Sequence, residues 1–370
     1  MSQTKFYPVA VPNLSGNEKK YVMDCVDTTW ISSNGKYVTQ FEQAYSQWMG
    51  VKHALSCCNG TVALHLPLLA LGIGPGDEVL VPTLTYIATA NAVRYCGATP
   101  VFVDCLEDTW DMDAADAEKK VTQRTKAIIP VHLFGNPCDM DAIMALAQRH
   151  HLAVIEDCAE CHGGTYQGQL VGTFGEFGTF SFFGNKIITT GEGGMVTTNR
   201  DDYAARMRLL KGQGMSPQKR FWFEMVGYNY RMTNIEAAIG LAQLEKVEEH
   251  IAERKRVAGW YAEEFAGMED VIRTQKVTEN ADCVWWMFSI LLTDKAKVSR
   301  DQLAEILLSE GIETRPIFYP MHIMPVYEDA NANCPVSERI AANGMNIPTH
   351  SMLTREDVRY ICSRIKAAVR

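Results

Sequence analysis

The chain has no apolar run reaching the ~18 residues that a membrane-spanning helix needs, so it offers no candidate span. It also has no run of lysine or arginine. Acidic residues outnumber basic ones 44 to 35, for a formal net charge of -9. A nucleic-acid backbone or an anionic membrane surface is therefore not an expected partner, and small molecules are. Residues 1–12 lack the charged stretch and following apolar stretch of an export signal, which makes the cytoplasm the expected location. No internal repeat and no low-complexity linker interrupts the chain. A glycine fingerprint for nicotinamide dinucleotides is missing too. The first strand-like run leads into Cys58-Asn59-Gly60-Thr61, and Gly72, Gly74 and Gly76 follow a helix with the wrong spacing.

The 370 residues are 47% hydrophobic, more than one core usually organises. Two domains are expected, a large one over 1–250 and a small one over 251–370. Eleven cysteines, an odd number, are spread from Cys25 to Cys362. That usage fits a reducing compartment and no disulfides. Cys158-Ala159-Glu160-Cys161-His162 spells the C-x-x-C-H of haem attachment, or half a zinc site. Haem attachment requires export, a zinc site wants a second ligand pair, and this pattern sits directly behind a buried strand. Neither haem nor metal is expected.

From residue 53 onward strands and helices alternate. Apolar runs at His53–Cys57, Glu78–Val81, Thr99–Val103, Ala127–Val131, Leu152–Ile155, Thr179–Phe183 and Met195–Thr198 read as seven strands, most separated by helical stretches. Near-continuous apolar runs of this kind mark a mostly parallel α/β sheet buried on both faces. A long helical segment from Asn234 to about Phe265 leads to a smaller α+β domain with a strand at Trp285–Leu292 and helices at Arg300–Leu308 and Glu356–Val369.

In an open α/β sheet the ligand sits outside the carboxyl ends of the strands. The first strand delivers Asn59-Gly60-Thr61 to a helix start, suited to a phosphate or simply an N-cap. Tyr86 follows the second strand, one turn into its helix; it is either an aromatic cover or a core tyrosine. The fifth strand ends in Glu156-Asp157, a carboxylate that wants a cation if buried and is a plain turn residue if exposed. Lys186 leaves the aromatic run Ser181-Phe182-Phe183 just before Gly191-Glu192-Gly193-Gly194. It suits a partly desolvated Schiff-base lysine, or else a surface lysine in a β-turn. A phosphate cradle, an aromatic face, an acid and a lysine together match the needs of pyridoxal 5′-phosphate.

At Asn59-Gly60-Thr61, Glu156-Asp157, Thr179 through Lys186, Gly191–Gly194 and Tyr228-Asn229-Tyr230-Arg231-Met232-Thr233-Asn234 the sequence resembles the fold-type I aminotransferases of nucleotide-linked keto sugars. The resemblance covers nearly the whole chain. It implies that Lys186 carries the cofactor and Asp157 holds the pyridinium. It implies that Tyr86 stacks on the ring, that Gly60, Thr61 and Ser181 bind the phosphate, and that Glu160 lies near the cofactor hydroxyl. Asn229 would reach the phosphate from the other subunit, so the expected assembly is a homodimer with shared sites, or a higher oligomer. Thr28–Ser33, Pro82–Ala88, Gly184–Thr190 and Met321–Pro325 are most similar to members that act on GDP-4-keto-6-deoxy-D-mannose. This implies C4 transamination with L-glutamate as donor, giving GDP-perosamine and 2-oxoglutarate for O-antigen or other polysaccharide. Trp30, Tyr319 and His322 are then candidates for the sugar pocket, or for plain packing. Related sugar dehydratases carry histidine in place of the lysine, so Lys186 favours amine transfer. Alternatives are an aminotransferase for a UDP- or dTDP-linked 4-keto or 3-keto sugar, and a catalytically idle binding or regulatory protein. Cys58, often serine in the family, and Cys161-His162-Gly163 depart from the usual pattern.

Overall fold

Apolar runs without a polar face cannot lie on a surface, and here they assemble into one central sheet. The structure is a computed structural model and describes residues 5–329 and 332–370. In chain order the strands are β1 (His53–Cys57), β2 (Glu78–Pro82), β3 (Thr99–Val103), β4 (Thr125–Ile128) and β5 (Ala153–Asp157). The hairpin β6 (Thr165–Tyr166) and β7 (Gln169–Leu170) comes next, then β8 (Phe177–Ser181) and β9 (Gly194–Thr198). Seven of them pair in the order β1-β9-β8-β5-β4-β2-β3. β8, β5, β4, β2 and β3 run parallel, while β9 is antiparallel to both its neighbours. Alternate residues along a strand feed opposite faces. Val79 and Val81 of β2 and Ile155 of β5 enter one core cluster, whereas Leu80 and Val154 enter another.

A second sheet of β10 (Ile272–Thr274), β12 (Phe288–Leu292), β13 (Arg315–Pro316) and β14 (Gly344–Ile347) is antiparallel, in the order β10-β12-β14-β13. The two-residue β11 (Ala281–Asp282) pairs instead with β6. Residues near the N-terminus join this smaller unit. Tyr7 bridges Ile312, and Thr349 N–H donates to the Val9 carbonyl at 2.8 Å.

Three expectations about elements change. The segment from Asn234 forms two helices, Asn234–Leu244 and Val247–Phe265. The break falls at Glu245-Lys246, and Glu245 accepts from Asn17 and Tyr21. β8 ends at Ser181 because Phe182 turns its N–H to Gly193 O. β4 stops ahead of Pro130, which has no N–H to donate. Among the described residues no helix is long and apolar enough to cross a membrane.

Candidate active site

The site begins where β1 hands over to the helix Gly60–Leu71. Asn59 caps that helix, its Oδ1 accepting from Val62 N at 3.0 Å. The N–H groups of Gly60 and Thr61 belong to the first turn and have no intrahelical partner, so the positive helix end is open to an anion. Gly60 lies against the last residue of β8. A Cβ at position 60 would stand 2.6 Å from Ser181 Cβ and 2.9 Å from its Oγ. Gly194, which faces Ser181 across the β8–β9 ladder, is as tightly placed: a Cβ there would sit 2.5 Å from the Asn59 carbonyl oxygen. The small residues of the Gly191–Gly194 run thus let β9 close under the cap of the first helix.

β5 delivers two carboxylates with different surroundings. Glu156 accepts from the N–H groups of Gly172 (2.7 Å), Phe174 (2.8 Å) and Gly175 (2.9 Å), and His132 Nε2 lies 3.3 Å away. It is a structural anchor for the 172–175 loop. Asp157 accepts from Thr89 Oγ1 at 2.8 Å and Ala159 N at 3.1 Å. It is buried, and burial pushes its carboxyl above the ordinary carboxylate range. Among the described residues it has no ion-pair partner. Glu160, also pushed up by burial, accepts from Phe134 N at 2.9 Å and lies 3.5 Å from Lys186 Nζ.

Lys186 closes a β-turn, its N–H donating to Phe183 O at 2.9 Å. The turn is real, but the side chain is only 11% exposed, so this is no surface lysine. Burial lowers the pKa of its ammonium, while Glu160 and Asp157 pull in the other direction. Its Nζ rests 3.8 Å from the centre of the Trp286 ring. Trp286 stacks on Phe134 (6.3 Å), Phe134 on Phe318 (5.6 Å), and Phe318 leans against Tyr86 (6.0 Å). An aromatic wall therefore runs from the lysine to Tyr86. Tyr86 precedes the helix Ala88–Tyr95 rather than lying one turn inside it, and is 60% exposed.

Trp30 and Tyr319 are also exposed. Tyr319 directly follows Phe318 of the wall, whereas Trp30 lies just after the helix Glu18–Asp27 and gives its carbonyl to Asn234 Nδ2 at 2.6 Å. His322 takes the packed position of its two readings in this structure. Its side chain is buried, with Nδ1 2.8 Å from Thr83 Oγ1 and Nε2 3.1 Å from Glu338 Oε1. Both ring nitrogens are taken, so His322 braces the loop that carries Tyr86. Asn229 is exposed and accepts from Arg231 Nε at 3.2 Å.

The C-x-x-C-H segment is core. Cys158 and Cys161 are buried thiols that burial holds well above their ordinary pKa. His162 packs against Phe180 and Phe182, and burial first, then Lys186 and Arg254, pull it down to about 3. The ligand-type atoms of His132, Glu156 and Cys158 lie within 4.8 Å of one another. The protein's own hydrogen bonds occupy the first two, since Cys138 N donates to His132 Nδ1 at 3.0 Å.

Residues 12–366 match the DegT/DnrJ/EryC1/StrS aminotransferase family. The chain belongs to that family. It is 55% identical over 359 residues to a GDP-perosamine synthase of Caulobacter vibrioides, covering 97% of each chain. It is 49% identical to a GDP-perosamine synthase of Escherichia coli O157:H7, covering 98% of each. A putative sugar aminotransferase of Streptococcus pneumoniae in its PLP form superposes with a TM-score of 0.93 at 27% identity, covering 98% of each chain. The α/β fold is thus that of the PLP-dependent aminotransferases, and pyridoxal 5′-phosphate is the cofactor of this family.

The residues present fit that group. Asp157 is a buried carboxylate without a cation, which a pyridinium N–H supplies. The helix start beside Ser181 is a cradle that one added Cβ would fill. Lys186 stands beside them with a suppressed pKa. Sequence reasoning missed Thr89, Phe134 and Trp286. Trp286 lay unnoticed in the apolar run to Leu292, where nothing in the spacing shows that its ring faces a lysine.

Proposed function

We propose that this aminotransferase moves the amino group of L-glutamate to C4 of GDP-4-keto-6-deoxy-D-mannose, releasing 2-oxoglutarate and GDP-perosamine. The observation that carries the chemistry is Lys186, buried between Glu160 and Trp286 and coupled to Asp157 at the end of β5. The sugar rests on the two GDP-perosamine synthases that match over nearly their whole length.

When bound, pyridoxal 5′-phosphate supplies an electron sink next to the carbon that loses or gains a proton. The rest is work for the chain. Gly60 and Thr61 N–H and Ser181 Oγ hold the phosphate, and Asp157 keeps the proton on the ring nitrogen. Glu160 orients the cofactor's hydroxyl edge, and Tyr86 covers a ring face. Lys186 is the covalent attachment point, because burial makes its neutral amine available. When not in covalent attachment, the same amine would hold and move the proton at Cα of glutamate and at C4 of the sugar.

Asn229 completes the phosphate site from a second copy of the chain, which makes the working unit a cytoplasmic homodimer. Trp30 and Tyr319 face the sugar. Each subunit divides into a large unit over 1–250 and a small one over 251–370, with the helix Val247–Phe265 crossing the boundary.

The test offers GDP-, UDP- and dTDP-linked 4-keto-6-deoxy sugars side by side with L-glutamate and measures 2-oxoglutarate. Turnover of the GDP sugar, abolished in K186A, is the expected result. Turnover of only the UDP or dTDP sugars rejects the assigned nucleotide. Activity retained in K186A rejects the lysine, and protein that binds the cofactor but turns over none of the three rejects the reaction.

A further inference from the structure

Lys186 has one neighbour that neither the phosphate cradle nor the acid pair explains. The Trp286 ring lies 3.8 Å from Nζ, well inside the ~6 Å at which an indole face attracts a cation. Two contacts fix the ring and a third fixes its backbone. Its Nε1–H donates to Asn185 O at 2.8 Å, the residue just before the lysine. Phe134 stacks on it at an interplanar angle of 21°. Arg254 Nη1 donates to the Trp286 carbonyl at 3.0 Å.

The backbone on both sides is strained to achieve this. Trp285 (φ 53°) and Phe134 (φ 58°) both occupy the left-handed region that bulky residues avoid. The two strained segments interlock: Val284 N donates to Gly135 O at 2.9 Å, and a Cβ on Gly135 would stand 2.7 Å from Trp286 N. Phe134 also donates its N–H to Glu160 Oε2, whose other oxygen faces Lys186. The same strained pair therefore places both groups that touch the amine. Strain of this kind persists only where the surroundings over-determine it, and it clusters at functional sites.

We propose that Trp286 is a positioning residue for the reacting amine: its indole face holds the protonated form of Lys186 beside Glu160 and so sets how readily that amine gives up its proton. The proposal rests on the assignment of Lys186 as the reacting amine. The ionisable groups around Lys186 are Glu160, Asp157, His162, His250 and Arg254. Only Glu160 and Asp157 favour the ammonium, and burial opposes it. An aromatic face adds to the first side without introducing another charge to desolvate.

The experiment titrates Lys186 in the cofactor-free enzyme. Competitive acetylation with acetic anhydride across pH, read by mass spectrometry on the Lys186 peptide with exposed Lys126 as internal reference, gives the midpoint. Wild type, W286F and W286L are compared. W286L is expected to lower the midpoint by about 0.5 to 1.5. Below the midpoint this is a roughly 3- to 30-fold rise in the neutral fraction at a given pH. W286F, with a weaker ring face, is expected to shift it less in the same direction.

A ring that merely fills space would, when removed, admit water and raise the midpoint, or speed acetylation at all pH values with the midpoint fixed. Either outcome in the folded variants overturns the proposal. Should W286L fail to fold, W286F alone decides by the sign of its shift. Borohydride reduction of the cofactor-loaded wild type, mapped by mass, separates the underlying assignment. A label away from Lys186 removes that reading, whereas a label on Lys186 with unshifted midpoints removes only this one.

Discussion

Gly60→Ala probes the phosphate cradle directly. The new Cβ would meet Ser181 Cβ at 2.6 Å and Oγ at 2.9 Å, where ordinary contact begins near 3.4 Å. One side has to retreat by roughly 0.8 Å. Ser181 cannot, because it is paired with Gly194 of β9, and Gly194 is itself pressed against the Asn59 carbonyl. The helix start therefore backs away, and the Ser181 hydroxyl and the Gly60 N–H no longer converge on one anion. Losing a single charge-assisted hydrogen bond costs about 1.5–3 kcal/mol, or roughly 10- to 100-fold in affinity. The fold itself should hold, since alanine is the better helix former by up to about 1 kcal/mol. The assay compares pyridoxal 5′-phosphate with pyridoxal, which keeps the Lys186 and Asp157 interactions and lacks the phosphate. G60A should weaken the phosphorylated form by that factor and leave pyridoxal nearly unchanged. Adding S181G removes the clash but not the lost hydroxyl, so the double variant should recover part of the affinity. If G60A binds pyridoxal 5′-phosphate as wild type does, the phosphate does not sit between this helix start and Ser181.

Asp157 and Lys211 give tests of opposite sign. Burial raises the pKa of Asp157, so the folded cofactor-free chain holds a proton that the unfolded chain has lost, and stability falls as pH rises through that window. Cofactor-free D157N should accordingly be more stable than wild type at neutral pH and bind the cofactor more weakly; a lower unfolding midpoint at neutral pH refutes this. Glu42 behaves in the reverse way. Burial pushes its carboxyl up, but Lys211, bonded to it at 2.8 Å, together with Arg208 and the Ser56 N–H outweighs burial, and the net shift is downward. Its contribution is present at neutral pH and lost as pH falls through the carboxylate range. K211M removes the more buried of Glu42's two cationic partners, leaving Arg208 at 3.2 Å and the Ser56 donors, and should cost about 1–3 kcal/mol by urea unfolding, with part of the loss recovered in K211M/E42L. Equal losses in the single and double variants would contradict a buried pair.

The central sheet was legible because its strands are buried on both faces, so burial leaves near-continuous apolar runs that need no partner to be seen. Strand ends were less so. Nothing in Ser181-Phe182-Phe183 says that Phe182 will turn its N–H to Gly193, a residue eleven positions away that lies in a different strand's approach. The candidate residues Gly60, Asp157 and Lys186 could be picked out because each lies at or after the carboxyl end of a strand, where position in sequence equals position at the sheet edge. Residues brought in from the smaller unit carried no such marker. Trp286 enters on a left-handed turn after Val284, and His322 is turned inward to Thr83 and Glu338. The sequence spacing around both is the same whether the ring faces a ligand, a lysine or the core.

The charges around Lys186 explain why a site so closely packed still has room for chemistry. Asp157 and Glu160 are both buried, both are pushed toward the neutral form by burial, and both are coupled to the one lysine. One ammonium cannot satisfy two carboxylates that receive only a hydroxyl and backbone N–H groups besides. The cluster is therefore short of one positive group at the end of β5, next to Thr89. A ring N–H⁺ placed there restores the balance and leaves Glu160 to Lys186. The two acids differ in position: Asp157 ends β5, while Glu160, held by Phe134 N, lies 3.5 Å from the amine. Trp286 adds its face on the amine's side alone. The amine is thus held between opposing influences: Glu160, Asp157 and the ring face favour its ammonium, while burial favours the neutral form.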